Sequence, residues 1–275
     1  MSRAQESLLW EVQSPDGRLN YLYGTIHLQD DRVFIFANEV LKRIDGVEVL
    51  ACEVHLDHMD PIRWQATFHL PADLSLEALI GRKYFKRLVR FSDRYLKLPA
   101  LHLDRLSPFF VMNVMSQAYF QSDQKVNLDT YLFDYARQMG KTLVGLEPFE
   151  EQLSYVARIS MVEQVRSLKR ALAQENKLKK QHEQALCYYQ EQQLNALYKQ
   201  SRKSLGKWRK MMINERNQKM VVPLRELCTE QTELAAVGAA HLPGKYGMIR
   251  LLKKEGFNVR PIIIKPKHLP EREKT

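Results

Sequence analysis

The sequence predicts an α+β fold: a central mixed sheet built from the N- and C-terminal segments, with a long helical insertion between them forming a cap or arm. Three observations predict it. Short apolar runs bounded by turn residues crowd the first fifty residues and gather again near the C-terminus. Between them, Glu150 to about Cys228 is rich in Gln, Lys, Glu, Leu and Ala, a composition that favours helix. Several of the strand-like runs end on a carboxylate or on Gly-x-x-His. With 275 residues the chain can bury a core without disulfides. We read 1–275 as one domain, with helical insertions at about 60–135 and 150–230 and a frayed tail at 265–275.

Taken in order, Leu8-Leu9-Trp10-Glu11-Val12 is an apolar run, and Ser14-Pro15-Asp16-Gly17 supplies turn chemistry. Leu19 to Tyr23 alternates and stops at Gly24-Thr25-Ile26-His27, so a hairpin is expected. Phe36 to Ile44 has helical apolar spacing, and Gly46 is its expected C-cap. Val47 to Val54 reads as a strand that arrives at Glu53. Leu76–Ile80 and Phe85–Leu96 are expected amphipathic helices, and a helix from Asn127 stops at Gly140. Lys141 to Glu147 is a strand ending in a second carboxylate. Glu150 to Cys228 contains one Gly and one Pro, so two to four helices are expected there, with a break near Ser204-Leu205-Gly206. Leu234 to Gly238 is a strand, Tyr246 to Lys254 a helix, and Asn258 to Ile264 a closing strand.

Composition excludes several classes. Cys52, Cys187 and Cys228 lie far apart, without a CxxC pair, which argues against a disulfide framework or a thiolate zinc site. No apolar stretch reaches the length of a membrane span, and the first residues lack the apolar core of a secretory signal. A reduced, cytoplasmic setting is therefore expected. The net charge of +10 is concentrated between Glu163 and Met220, where 14 Lys and Arg face 5 Glu. That charge suits a solvated helix face; phosphate loops, zinc-finger spacing and RNA-binding signatures are missing, so nucleic acid is not the expected partner.

Two segments repeat one pattern: Leu22-Tyr-Gly-Thr-Ile-His-Leu28 and Ala236-Val-Gly-Ala-Ala-His-Leu242. In each, Gly follows an apolar strand and lets the backbone turn or approach closely, and His27 or His241 follows three positions on. If the two strands are neighbours, two imidazoles converge across the length of the chain. With a strand-end carboxylate, Glu53 or Glu147, they make a first shell for a divalent transition metal. The plainer reading of each acid is a solvated strand end.

These residues also carry a resemblance. Leu9-Trp10-Glu11-Val12 leading to Gly24-Thr25-Ile26-His27, then Glu53, Gly145-Leu146-Glu147 with Glu150-Glu151-Gln152, Arg216-Asn217 and Val237-Gly238-Ala239-Ala240-His241-Leu242 resemble the TraB/PrgY/GumN (Tiki) family in the family's order. The resemblance implies an α+β fold whose two Gly-x-x-His motifs, one Glu and one Arg gather in a central cleft, and a Tiki-type divalent-metal-dependent peptidase activity. It implicates His27, Glu53, His241 and Arg216, and beside them Glu147 and Asn217. Where the family tends to carry Glu-x-Asp this chain has Glu53-Val54-His55, and the strand alternation would set His55 on the face of Glu53 as a third imidazole.

The expected function is thus a metal-dependent hydrolase of peptide or small-molecule substrates. Mn, Co, Zn or Fe is held by His27, Glu53, His241 and His55, with Glu147 as general base or further ligand. Arg216 meets a substrate carboxylate or the developing oxyanion, with Asn217 beside it. Two other readings stay open: a ligand- or peptide-binding regulatory protein of the same fold without turnover, and a basic helical arm that binds an acidic partner. Apolar residues scattered through the long helices also raise a homodimer as an expectation.

Overall fold

The computed structural model describes residues 6–119 and 126–266. The first five residues, and 267–275 of the expected frayed tail, lie outside the described residues.

The strands are β1 (Leu9–Gln13), β2 (Leu19–Thr25), β3 (Val49–Cys52), β4 (Thr142–Gly145), β5 (Glu233–Gly238) and β6 (Asn258–Ile262). They form one mixed sheet in the order β4-β3-β5-β2-β1-β6. The expected hairpin is present, with β1 and β2 antiparallel and Leu9 opposite Tyr23. The closing strand β6 pairs antiparallel with β1 on its other side. The two strands that carry the Gly-x-x-His motifs are parallel neighbours, with Thr25 opposite Gly238. Strand β5 also pairs parallel with β3, and β3 with β4.

This order decides where the chemistry can be. Strands β4, β3, β5 and β2 run the same way side by side, so their C-terminal ends share one edge of the sheet. Open sheets with parallel strands bind ligands outside such ends. Every residue of β3 is buried, and all of β5 except Gly238, as expected for central parallel strands covered on both faces.

The helices are α1 (Ala37–Asp45), α2 (Pro61–Phe68), α3 (Leu76–Ile80), α4 (Arg82–Tyr95), α5 (Ala100–Asp104), α6 (Pro108–Ala118) and α7 (Leu128–Gln138). They continue with α8 (Phe149–Ala157), α9 (Met161–Ala173), α10 (Glu175–Gln190), α11 (Leu194–Leu205), α12 (Arg216–Glu230) and α13 (Met248–Lys254). Among the described residues no helix is long and apolar enough to cross a membrane. The chain divides into two compact units. The first, Met1–His58, Ser122–Pro148 and Ala185–Thr275, contains the sheet; the second, Met59–Gln121 and Phe149–Gln184, is helical.

In the sheet unit, α7 begins where the Asn127 side chain accepts from Thr130 N–H. It buries Leu128, Leu132, Phe133 and Ala136 and packs against β3 and β4. Gly140, at φ +67, turns the chain into β4. In the helical unit, α4 buries Phe85, Leu88 and Phe91 and packs on α3 and α9. The stretch from 150 to 228 holds five helices and a π-helix, more than the two to four expected. One break falls at Gly206 as expected, but those at Ser160, Gln174 and Gln192 involve neither Gly nor Pro, so the composition does not mark them.

Candidate functional site

Each Gly-x-x-His motif leaves the C-terminal end of its strand, and the glycines are needed for packing. A Cβ built on Gly24 would stand 3.0 Å from Ala239 Cα and 3.3 Å from Leu242 Cδ2, so the first motif closes against the second. A Cβ on Gly238 would meet Glu53 Oε1 at 3.2 Å, the His241 ring at 3.5 Å and His27 Nε2 at 3.6 Å. Both imidazoles and the Glu53 carboxylate, one residue past β3, therefore face one small space that exists because residue 238 has no side chain.

Both histidines are oriented from behind. His27 Nδ1 lies 2.7 Å from Asp129 Oδ2, and Thr25 Oγ1 donates to the other oxygen of that carboxylate at 2.6 Å. His241 Nδ1 lies 2.5 Å from Asn217 Oδ1. The Asn217 amide nitrogen donates to the carbonyls of His241 and Tyr246, which fixes its oxygen as the acceptor. Nδ1 of His241 thus carries the hydrogen, and its Nε2 turns toward Glu53, 3.7 Å away. Burial lowers the His241 pKa to about 4, so the ring is neutral at physiological pH. The charge of Asp129 raises His27 to about 9 against the opposing effect of burial, although the side chain is 55% exposed.

Glu53 accepts from Gly238 N–H at 2.7 Å and from Arg216 Nη2 at 2.5 Å. Burial alone would raise its pKa, but the Arg216 guanidinium, with the two histidines, holds the carboxyl far below the usual range. Arg216 also donates from Nε to both oxygens of Glu147, at 3.0 and 3.1 Å, and from Nη2 to one of them. This guanidinium is 7% exposed, between carboxylates that are 11% and 1% exposed. Arg216 follows the π-helix Lys210–Glu215, an uncommon geometry that recurs at functional sites.

The structure thus brings together six of the seven residues singled out in the sequence: His27, Glu53, Glu147, Arg216, Asn217 and His241. It places His55 elsewhere. Strand β3 ends at Cys52 and the chain enters a 3-10 turn at Leu56–His58, so the alternation used for His55 does not extend that far. Its ring stacks on His58 at 3.9 Å and meets Phe133 edge-on, while its backbone presses on Gly145. Asp129 and Thr25 carry no signal of their own in the sequence. Asp129 sits two residues after a helix N-cap, where an acid ordinarily serves the helix dipole, and no spacing links it to His27.

Two imidazoles, each bonded at Nδ1 and turned inward on the other side, with a carboxylate between them, are donors of the kind a divalent transition metal takes. Among the described residues, no three His, Cys, Asp or Glu side chains already stand as a complete ligand set. Glu53 is engaged by Arg216 and the Gly238 amide.

A sheet whose parallel strand ends gather two Gly-x-x-His motifs, a carboxylate and a buried arginine defines the class. The model of the TraB/PrgY/gumN family matches residues 8–261, and the chain belongs to that family. It is similar to "Metalloprotease TIKI2" of Danio rerio, 23% identical over 92% of this chain and 60% of that protein. It is also similar to "Metalloprotease TIKI2" of Xenopus tropicalis, 24% identical over 94% of this chain and 61% of the relative. The chain thus spans about 60% of the length of these curated relatives.

Proposed function

We propose that this chain is a divalent-metal-dependent hydrolase acting on peptide bonds. The observation that carries the proposal is the convergence of His27, His241 and Glu53 on the space beside Gly238, with Asp129 and Asn217 holding the two outer imidazole nitrogens. The names of the metalloprotease relatives support it. His27, His241 and Glu53 would hold the ion, whose identity among Mn, Co, Zn and Fe stays open. Bound there, it would supply a water acidified toward neutral pH and a Lewis acid for the scissile carbonyl.

The contacts of the other residues support roles for them in this reading. Asp129 takes the Nδ1 hydrogen of His27 and Asn217 that of His241, so each ring turns Nε2 inward. The neutral His241 offers a lone pair there, while His27, raised to about 9, would release its Nε2 proton on binding the ion. Arg216 is bonded to two carboxylates, which supports a role in positioning Glu53 beside the one read from the sequence, meeting a substrate carboxylate or the developing oxyanion. Glu147 is almost fully buried against that guanidinium, which supports a role in orienting it, whereas the sequence reading made it general base or further ligand.

The test is cleavage of a quenched fluorogenic peptide mixture by the chain loaded with Mn²⁺, Co²⁺ or Zn²⁺. Hydrolysis that a chelator abolishes and that Glu53→Gln and His241→Ala both lose is the expected result. Intact peptides with metal bound would defeat the proposal. They would favour the second reading, a ligand-binding protein without turnover, which is supported by the way Arg216 already pairs with both carboxylates.

A further inference from the structure

We propose that a cavity in the helical unit, between α4 and the α9–α10 junction, binds a small anion that carries a diphosphate group. It lies wholly within that unit, has a volume of about 570 Å³, and is lined by Arg87, Arg90, Arg94 and Lys177 over an apolar floor of Phe91 and Leu172.

The near-neutral charge of the chain outside 163–220 conceals a basic helix. Helix α4 carries six Lys and Arg against one Asp. Three of its arginines, at i, i+3 and i+7, share one face and open onto the cavity. Like charges stacked this way repel, and the fold compensates little of it. Arg94 is 3.5 Å from Glu175, and no ion pair engages Arg87, Arg90 or Lys177 among the described residues. Arg87 lies over the Tyr84 ring, 5.7 Å from its centroid. One carboxylate thus faces four cations, and the apolar floor strengthens their field.

Guanidinium forks match tetrahedral oxyanions in a bidentate way. The helical rise sets Arg87 and Arg94 about 10 Å apart along α4, a span for two linked phosphates rather than one. The first turn of α10 borders the same cavity through Glu175, Asn176 and Lys177, and the leading N–H groups of a helix have no partner within it. The cavity has the volume of a small-molecule site.

The experiment is calorimetric titration of the full chain with inorganic pyrophosphate, ADP, orthophosphate and a mixed-sequence oligonucleotide. Saturable one-to-one binding of pyrophosphate and ADP is expected, with orthophosphate weaker by roughly tenfold or more. Arg90→Ala and Arg87→Ala should each weaken pyrophosphate by about 10-fold or more, the loss expected for one charge-assisted hydrogen-bonding partner. Lys83→Ala, on the same helix but outside the cavity lining, should leave it unchanged. Arg90 is exposed, so its variant should keep the wild-type circular dichroism. Absence of saturable pyrophosphate binding would overturn the proposal. So would equal losses in Arg90→Ala and Lys83→Ala, or binding of the oligonucleotide alone. His27→Ala should bind pyrophosphate normally, which separates this site from the hydrolase proposal.

Discussion

Replacing Glu233 by Gln should flatten the pH dependence of stability in the sheet unit. Glu233 opens β5, is fully buried, and lies 3.0 Å from the Cys228 thiol through Oε1, while Oε2 has no hydrogen-bond partner among the described residues. Burial raises its pKa from 4.5 to about 8, the thiol contact opposing that only in part. The folded state therefore holds a proton that the unfolded chain releases near its ordinary value. Stability is full below pH 4.5, falls as pH rises, and levels off once the folded carboxyl ionises near pH 8. A tenfold change in proton affinity corresponds to about 1.4 kcal/mol, so the whole window corresponds to about 4–5 kcal/mol. That is on the order of 10 °C in Tm for a unit of this size. The variant cannot titrate, but its buried amide lacks partners, at a cost of about 1–3 kcal/mol. Glu233→Gln should therefore melt below wild type at pH 5 and at or above it at pH 8.5, by thermal melts or urea midpoints. Parallel pH profiles for the two proteins would refute the reasoning.

Three further outcomes follow from the same contacts. Asp129→Asn should bring the His27 pKa from about 9 back toward 6.5, read by NMR titration, and weaken divalent-ion binding by about 10–100-fold. Gly145→Ala should destabilise by about 1–3 kcal/mol in urea titrations, because the new Cβ would stand 2.6 Å from His55 N. The hydroxyls of Tyr23 and Tyr189 are buried 2.6 Å apart. Each single Phe variant strands its partner at about 1–3 kcal/mol, so the double variant should cost less than the sum of the singles.

Much of the fold is legible because strands and turns are local. The Pro-Asp-Gly turn, the stop at Gly24 and the closing strand before the tail each follow from a few adjacent residues, and the structure has elements at all three. The partnership of β2 and β5 is not local. The repeated Gly-x-x-His motif suggests it, and Gly24 against Ala239 is its physical reason. Asp129 is not legible because its tie to His27 crosses about a hundred residues without a pattern. Glu233 looks like any strand-end acid, since neutrality comes from burial by distant elements. The basic face of α4 is hidden by acids elsewhere that cancel it in the sum.

The most direct test of the central claim is ion binding by metal-stripped wild type, His27→Ala and His241→Ala, titrated with Mn²⁺, Co²⁺ and Zn²⁺. One ion per chain in the wild type, with affinity at least about tenfold weaker in each variant, is the predicted result. Wild-type affinity retained in either variant, or no ion taken up by the wild type, would contradict a shared site at the ends of β2 and β5.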